Sequence, residues 1–142
     1  MPNRDIKKEN KELRNLININ KDASEFYESA QEKAKNPQIR QTFANLENLH
    51  NGVKANIQTL VLSNAGDAEA EETFVGQTKQ FWGELVTAVS NDVDTTLVKH
   101  LEEAEDRCLS AIKDAMSSDN ISPMTKSALR RSLQRYKKVM IT

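Results

Sequence analysis

Apolar residues recur along this chain at intervals of three and four. One stretch carries Leu13, Leu16, Ile17, Ala23, Tyr27, Ala30 and Ala34, and the next Ile39, Phe43, Leu46, Val53, Ile57, Leu60 and Val61. A third carries Phe74, Phe81, Leu85, Ala88 and Val89, with Trp82 at its edge. The fourth runs Leu97, Val98, Leu101, Ala104, Cys108, Leu109, Ala111, Ile112 and Ala115, and the fifth Leu129, Leu133, Tyr136 and Met140. On a helix of 3.6 residues per turn this spacing gathers one apolar stripe. No stretch alternates with period two over the length of a strand, so the expected class is all-α.

Helix breakers fall between these stretches. Asn36–Pro37 and Ser122–Pro123 each read as an N-cap followed by proline at the first helical position. Gly66 precedes an acidic first turn that suits a helix dipole, and Asp92 or Asp94 offers a further cap. Five helices are predicted, at approximately 5–35, 38–64, 71–90, 94–117 and 123–140.

Composition narrows the class. The chain has 142 residues, 29% of them charged and 37% hydrophobic, which suits one domain spanning 1–142 with a buried core. No apolar run is long enough for a bilayer, and the first residues lack the apolar stretch of a secretory signal. Cys108 is the sole cysteine, which excludes an intrachain disulfide and points to a cytoplasmic protein. The net charge of −1 conceals a segregation. Residues 67–119 hold 13 acidic and 4 basic side chains, whereas residues 120–142 hold 6 basic and none acidic. On the fifth predicted helix, Arg130, Arg131, Arg135 and Lys138 fall away from the stripe, as a solvated face does. The interleaved aromatics of a single-strand binder are missing, so no nucleic-acid partner is expected. A protein-interaction module built on this basic helix is the least favoured of three functional readings.

The segments "LININKDASEFYESAQEKAKNPQIRQTFANL", "FVGQTKQFWGELV" and "LEEAEDRCLSAI" resemble a family of small bacterial ferritin-like four-helix-bundle proteins of unknown function. The likeness rests on an Asp before an aromatic, a Y-x-x-A, a Trp in the third predicted helix and the E-x-x-E-D of Glu102, Glu105 and Asp106. It implies two antiparallel hairpins joined by a long crossover, here with an additional helix in it. The second and fourth predicted helices then run in the same direction. A stress-related role is implied by this resemblance alone.

The candidate chemistry centres on "LENLH", where Glu47 and His50 form the Glu-x-x-His half-site of ferritin-like di-iron centres. At 100° per residue, His50 lies within roughly 20° of its stripe centre and Glu47 about 80° away. Glu105 lies about 50° from its own stripe centre, and Glu102 about 110°. Glu25 falls outward. Counting about 1.5 Å per residue from the first helical turn brings Asn20 and Ser24 level with His50. Glu105 and Tyr136 are expected in the same layer. Two of the four helices then supply no carboxylate, so a bridged iron pair is not expected.

The favoured reading is a buried polar layer of Asn20, Ser24, His50, Glu105 and Tyr136 in a non-catalytic bundle with a degenerate metal site and no expected cofactor. The alternative is a metal-binding protein or oxidoreductase holding iron or manganese on His50, Glu47 and Glu105. Cys108 is expected to be an inert buried thiol without a histidine in reach, and His100 a surface residue. A homodimer is expected through the aromatic edge of Phe81 and Trp82.

Overall fold

The computed structural model describes residues 6–64 and 93–141, with side chains described as far as Tyr136. Among these residues the chain forms four helices and no strand: α1 (Ile6–Lys33), α2 (Pro37–Ser63), α3 (Val93–Met116) and α4 (Pro123–Ile141). Each boundary lies within two residues of its expected position. The predicted helix at 71–90, with its aromatic edge, and the break at Gly66 lie outside the described residues.

The ends form for the reasons the sequence suggests. Asn36 is extended at φ −76° and ψ 124°, and its side chain accepts the N–H groups of Gln38 and Ile39, with Pro37 following at the first helical position. Ser122 caps α4 by accepting Thr125 N–H at 3.2 Å. Asn64 closes α2, its N–H meeting carbonyls of the last turn. Asp94 differs from the expectation. It lies inside the first turn of α3, and its carboxylate accepts Lys35 N–H at 2.8 Å and Asn36 N–H at 2.9 Å. It therefore clamps the α1–α2 turn, whose amides no helix satisfies, in place of capping its own helix.

These contacts fix the directions of the helices. The start of α3 sits at the α1–α2 turn, while just beyond its end Ser118 donates to Glu12 at 2.9 Å, near the start of α1. Asn64, at the end of α2, donates to Glu9 at 2.6 Å. So α1 runs against both α2 and α3, and α2 and α3 run alike.

Packed seams join α1 to α2, α1 to α3, α3 to α4 and α2 to α4, which leaves α2 and α3 diagonally opposed. The core between them is made of the predicted stripes. Leu13, Ile17, Tyr27, Phe43, Val53, Ile57, Val61, Leu97, Ile112 and Leu129 are all fully buried. Burying one such aliphatic chain stabilises by about 1.5–3 kcal/mol, so truncating Ile17 or Leu97 to Ala would remove much of the net stability. Phe26, Tyr27 and Phe43 pack ring against ring at centroid distances of 5.1–5.8 Å near the α1–α2 turn. Among the described residues, no helix is long and apolar enough to cross a membrane.

Candidate functional site

The stripes are interrupted by polar residues at one depth, where all four helices contribute. On α1, Asn20 is 1% exposed, and its Nδ2 donates to Leu16 O one turn back at 2.8 Å. That bond turns Oδ1 towards the bundle axis, where it accepts from Tyr136 Oη of α4 and faces His50 Nδ1 of α2 at 2.7 Å. An amide oxygen only accepts, so Nδ1 carries a hydrogen. The other ring nitrogen, Nε2, lies 2.6 Å from Glu105 Oε2 of α3. This contact crosses the bundle interior between the two diagonal helices.

One proton must lie in that 2.6 Å gap. Without it, the lone pair of Nε2 would face that of a carboxylate oxygen. Whether it rests on imidazole or carboxylate, the pair has zero net charge, as a dry interior requires. Tyr27 Oη donates to the same Oε2 at 2.6 Å. Glu105 is 1% exposed, and its second oxygen, Oε1, is buried without a hydrogen-bond partner. The His50 ring is 5.4 Å from that of Tyr27 and 4.9 Å from that of Tyr136, centroid to centroid.

Ser24, expected in the layer, and Glu47, a candidate metal ligand, both bond elsewhere. Ser24 is buried but turns its hydroxyl back to Lys21 O at 2.9 Å. Glu47 is half-buried, and its Oε1 accepts from Gln31 Nε2 at 2.7 Å. A glutamine one seam away satisfies this carboxylate, so it has no need to reach the axis.

Cys108 corrects the expectation that it has no histidine in reach. It is 2% exposed on α3, and a ligand atom from each of His50, Glu105 and Cys108 lies within 4.8 Å of the other two. Glu105 and Cys108 are three residues apart on one helix face, a second half-site that mirrors Glu47-x-x-His50. Burial, and then the nearby Glu105, push the Cys108 thiol far above its ordinary pKa. Burial also raises Tyr27, with Glu105 adding to it, and Tyr136, where the neighbouring Cys108 adds to it. All three stay protonated near neutral pH.

A family model for a domain of unknown function, DUF2383, matches residues 8–118, from the first turns of α1 to the end of α3. The chain belongs to the DUF2383 family. The match includes Asn20, Tyr27, His50, Glu105 and Cys108, and stops short of Tyr136. No curated protein and no solved structure matches the chain.

Tyr27 and Glu9 escaped the sequence reading as polar actors. Tyr27 looked like one more member of the stripe. Glu9 is fully buried where three helix ends meet: Oε1 accepts Ser122 N–H at 2.7 Å and Oε2 accepts Asn64 Nδ2 at 2.6 Å. The signal was its register. Glu9 lies four residues before Leu13, on the line of the buried stripe.

Proposed function

We propose that this DUF2383 protein is a non-catalytic bundle of ferritin-like topology whose buried polar layer sets the register of its helices. The observation that carries the reading is the meeting of Asn20 and Tyr27, His50, Glu105 and Tyr136, from four helices, in one hydrogen-bonded unit. Sliding one helix by a turn would strand a buried carboxylate or imidazole, at a cost of several kcal/mol. The parallel run of α2 and α3 supports ferritin-like topology, in which a crossover joins the two hairpins.

A ferritin-like centre implies a pair of irons, and these residues do not fit one. Asn20 and Tyr136 occupy the axis on α1 and α4, where carboxylates are needed, and Glu105 is the one carboxylate in this layer among the described residues. Ferrous iron added in air should therefore provoke no stoichiometric oxygen uptake.

The register reading is tested with the double variant His50→Leu/Glu105→Leu. Its helical circular dichroism should match the wild type. Its amide NMR spectrum should broaden as alternative registers become populated. A sharp, wild-type-like spectrum would remove the basis for the reading.

A further inference from the structure

We infer that His50, Glu105 and Cys108 form a mononuclear site for a thiophilic divalent cation, zinc in the first instance. This goes beyond the register role and uses one residue, Cys108, that the role does not need.

Three observations support it. The first is the donor set. Imidazole, carboxylate and thiolate are ligands of zinc, and three protein ligands with a fourth position left to water is one of its common arrangements. Iron or manganese would favour oxygen donors, and the oxygen-rich candidate Glu47 is bound to Gln31 instead.

The second is Glu105 Oε1, which is buried with no hydrogen-bond partner. A buried carboxylate oxygen left bare is costly, and a cation gives it a ligand role. The third is support around the donors. Asn20 holds the Nδ1–H of His50, which fixes the ring and leaves Nε2 as the ligating atom, while Tyr27 holds Oε2 of Glu105.

Charge closes the argument. Deprotonated, Cys108 and Glu105 contribute two negative charges and His50 none, which cancels a dication. Loading exchanges one zinc ion for two protons, the thiol proton and the one between His50 and Glu105. The site is neutral before and after, so the interior never holds an uncompensated charge.

The required adjustment is small. Tetrahedral zinc separates its nitrogen and oxygen ligands by about 3.4 Å. His50 Nε2 and Glu105 Oε2 must therefore part from 2.6 Å as Oε1 turns in to take the ligand position, while Cys108 stays within the 4.8 Å it already has. With donors at most 2% exposed, an ion has no direct route in, so loading proceeds during folding.

The test is to refold the full chain in the presence of cobalt(II), wash it with a weak chelator and record its absorption. One ion per chain and a near-ultraviolet sulfur-to-cobalt charge-transfer band are expected. Cys108→Ser should fold, as judged by circular dichroism, and lose the band. Asn20→Leu should weaken binding about 10- to 100-fold. Glu47→Gln should leave it unchanged. X-ray absorption of the zinc-loaded wild type needs no variant, and should show one sulfur at about 2.3 Å with nitrogen and oxygen at about 2.0–2.2 Å. No charge-transfer band from the refolded wild type, a band that persists in Cys108→Ser, or a shell without sulfur would each overturn the inference. None of these outcomes bears on the register reading, which concerns the proton-holding form.

Discussion

Replacing His50 by leucine separates the two ways in which a buried polar pair can act. The substitution removes the proton-sharing partner of Glu105 and one of the donors to Asn20, while leaving Tyr27 as the remaining donor to Glu105. Breaking a buried pair costs about 3–5 kcal/mol, because the surviving charge has lost its proton-sharing partner and has no water in its place. Leucine returns about 1 kcal/mol through its apolar contacts with the neighbouring stripe. The expected net loss is about 2–4 kcal/mol. For a urea dependence of about 2 kcal/mol per molar, the unfolding midpoint falls by about 1–2 M.

The double variant His50→Leu/Glu105→Leu removes the stranded charge and should recover part of that loss. Tyr27 would then lack an acceptor, at about 1–3 kcal/mol, and adding Tyr27→Phe should restore this part. The assay is urea unfolding followed by circular dichroism, with a chelator present so that protons alone hold the layer. A single variant within about 0.5 kcal/mol of wild type would refute the reasoning. So would a double variant no more stable than the single one, since the cost would then not lie in the abandoned carboxylate.

Alkaline pH should destabilise the fold. Cys108, Tyr27 and Tyr136 bind their protons more tightly folded than unfolded, chiefly through burial. Their contribution is full below the unfolded values, about 8.5 for Cys and about 10 for Tyr, and is lost as pH rises from there towards the raised folded values. Each group loses about 1.4 kcal/mol per pH unit, so urea midpoints should drop steeply beyond pH of about 10 and less steeply in Tyr27→Phe. An identical slope in that variant would contradict the assignment. Glu9→Ala should cost about 2–4 kcal/mol by leaving Ser122 N–H and Asn64 Nδ2 without this acceptor, whereas Asp94→Ala, at an exposed clamp, should cost about 1 kcal/mol; matched urea midpoints compare the two. Cys108, 2% exposed, should react with a thiol reagent at a rate that rises with urea in step with unfolding, and fast labelling in native buffer would show it to be accessible.

The helices were legible because burying one stripe demands a period that few other structures share. Proline and cap residues then marked their ends. His50 and Glu105 were legible as well, since rotation along a single helix is enough to show that a polar residue faces inward. Rotation does not reveal what stands opposite. Tyr27 meets Glu105 across 78 residues of sequence, and nothing local distinguishes a stripe tyrosine whose hydroxyl is engaged from one that is merely packed. Cys108 was misread for the same reason, as its histidine lies on a diagonal helix. Glu47 shows the converse. Its spacing from His50 is that of a metal half-site, but Gln31 decides where it points.

The sequence distances across the polar layer also suggest an order of assembly in time. Asn20 and His50 are 30 residues apart, His50 and Glu105 are 55 apart, and Tyr136 and Asn20 are 116 apart. Closing the longest of these loops costs only about 1 kcal/mol more than the shortest, yet it waits on a second hairpin that must form and dock. The α1–α2 hairpin should therefore fold first, holding His50 oriented by Asn20 while its far ring nitrogen is still open to water. During folding, then, the protein should pass through a stage in which its most deeply buried imidazole is still open to ligands. Pulsed hydrogen exchange showing α1–α2 amides protected before those of α3–α4 would establish that order, and simultaneous protection would exclude it.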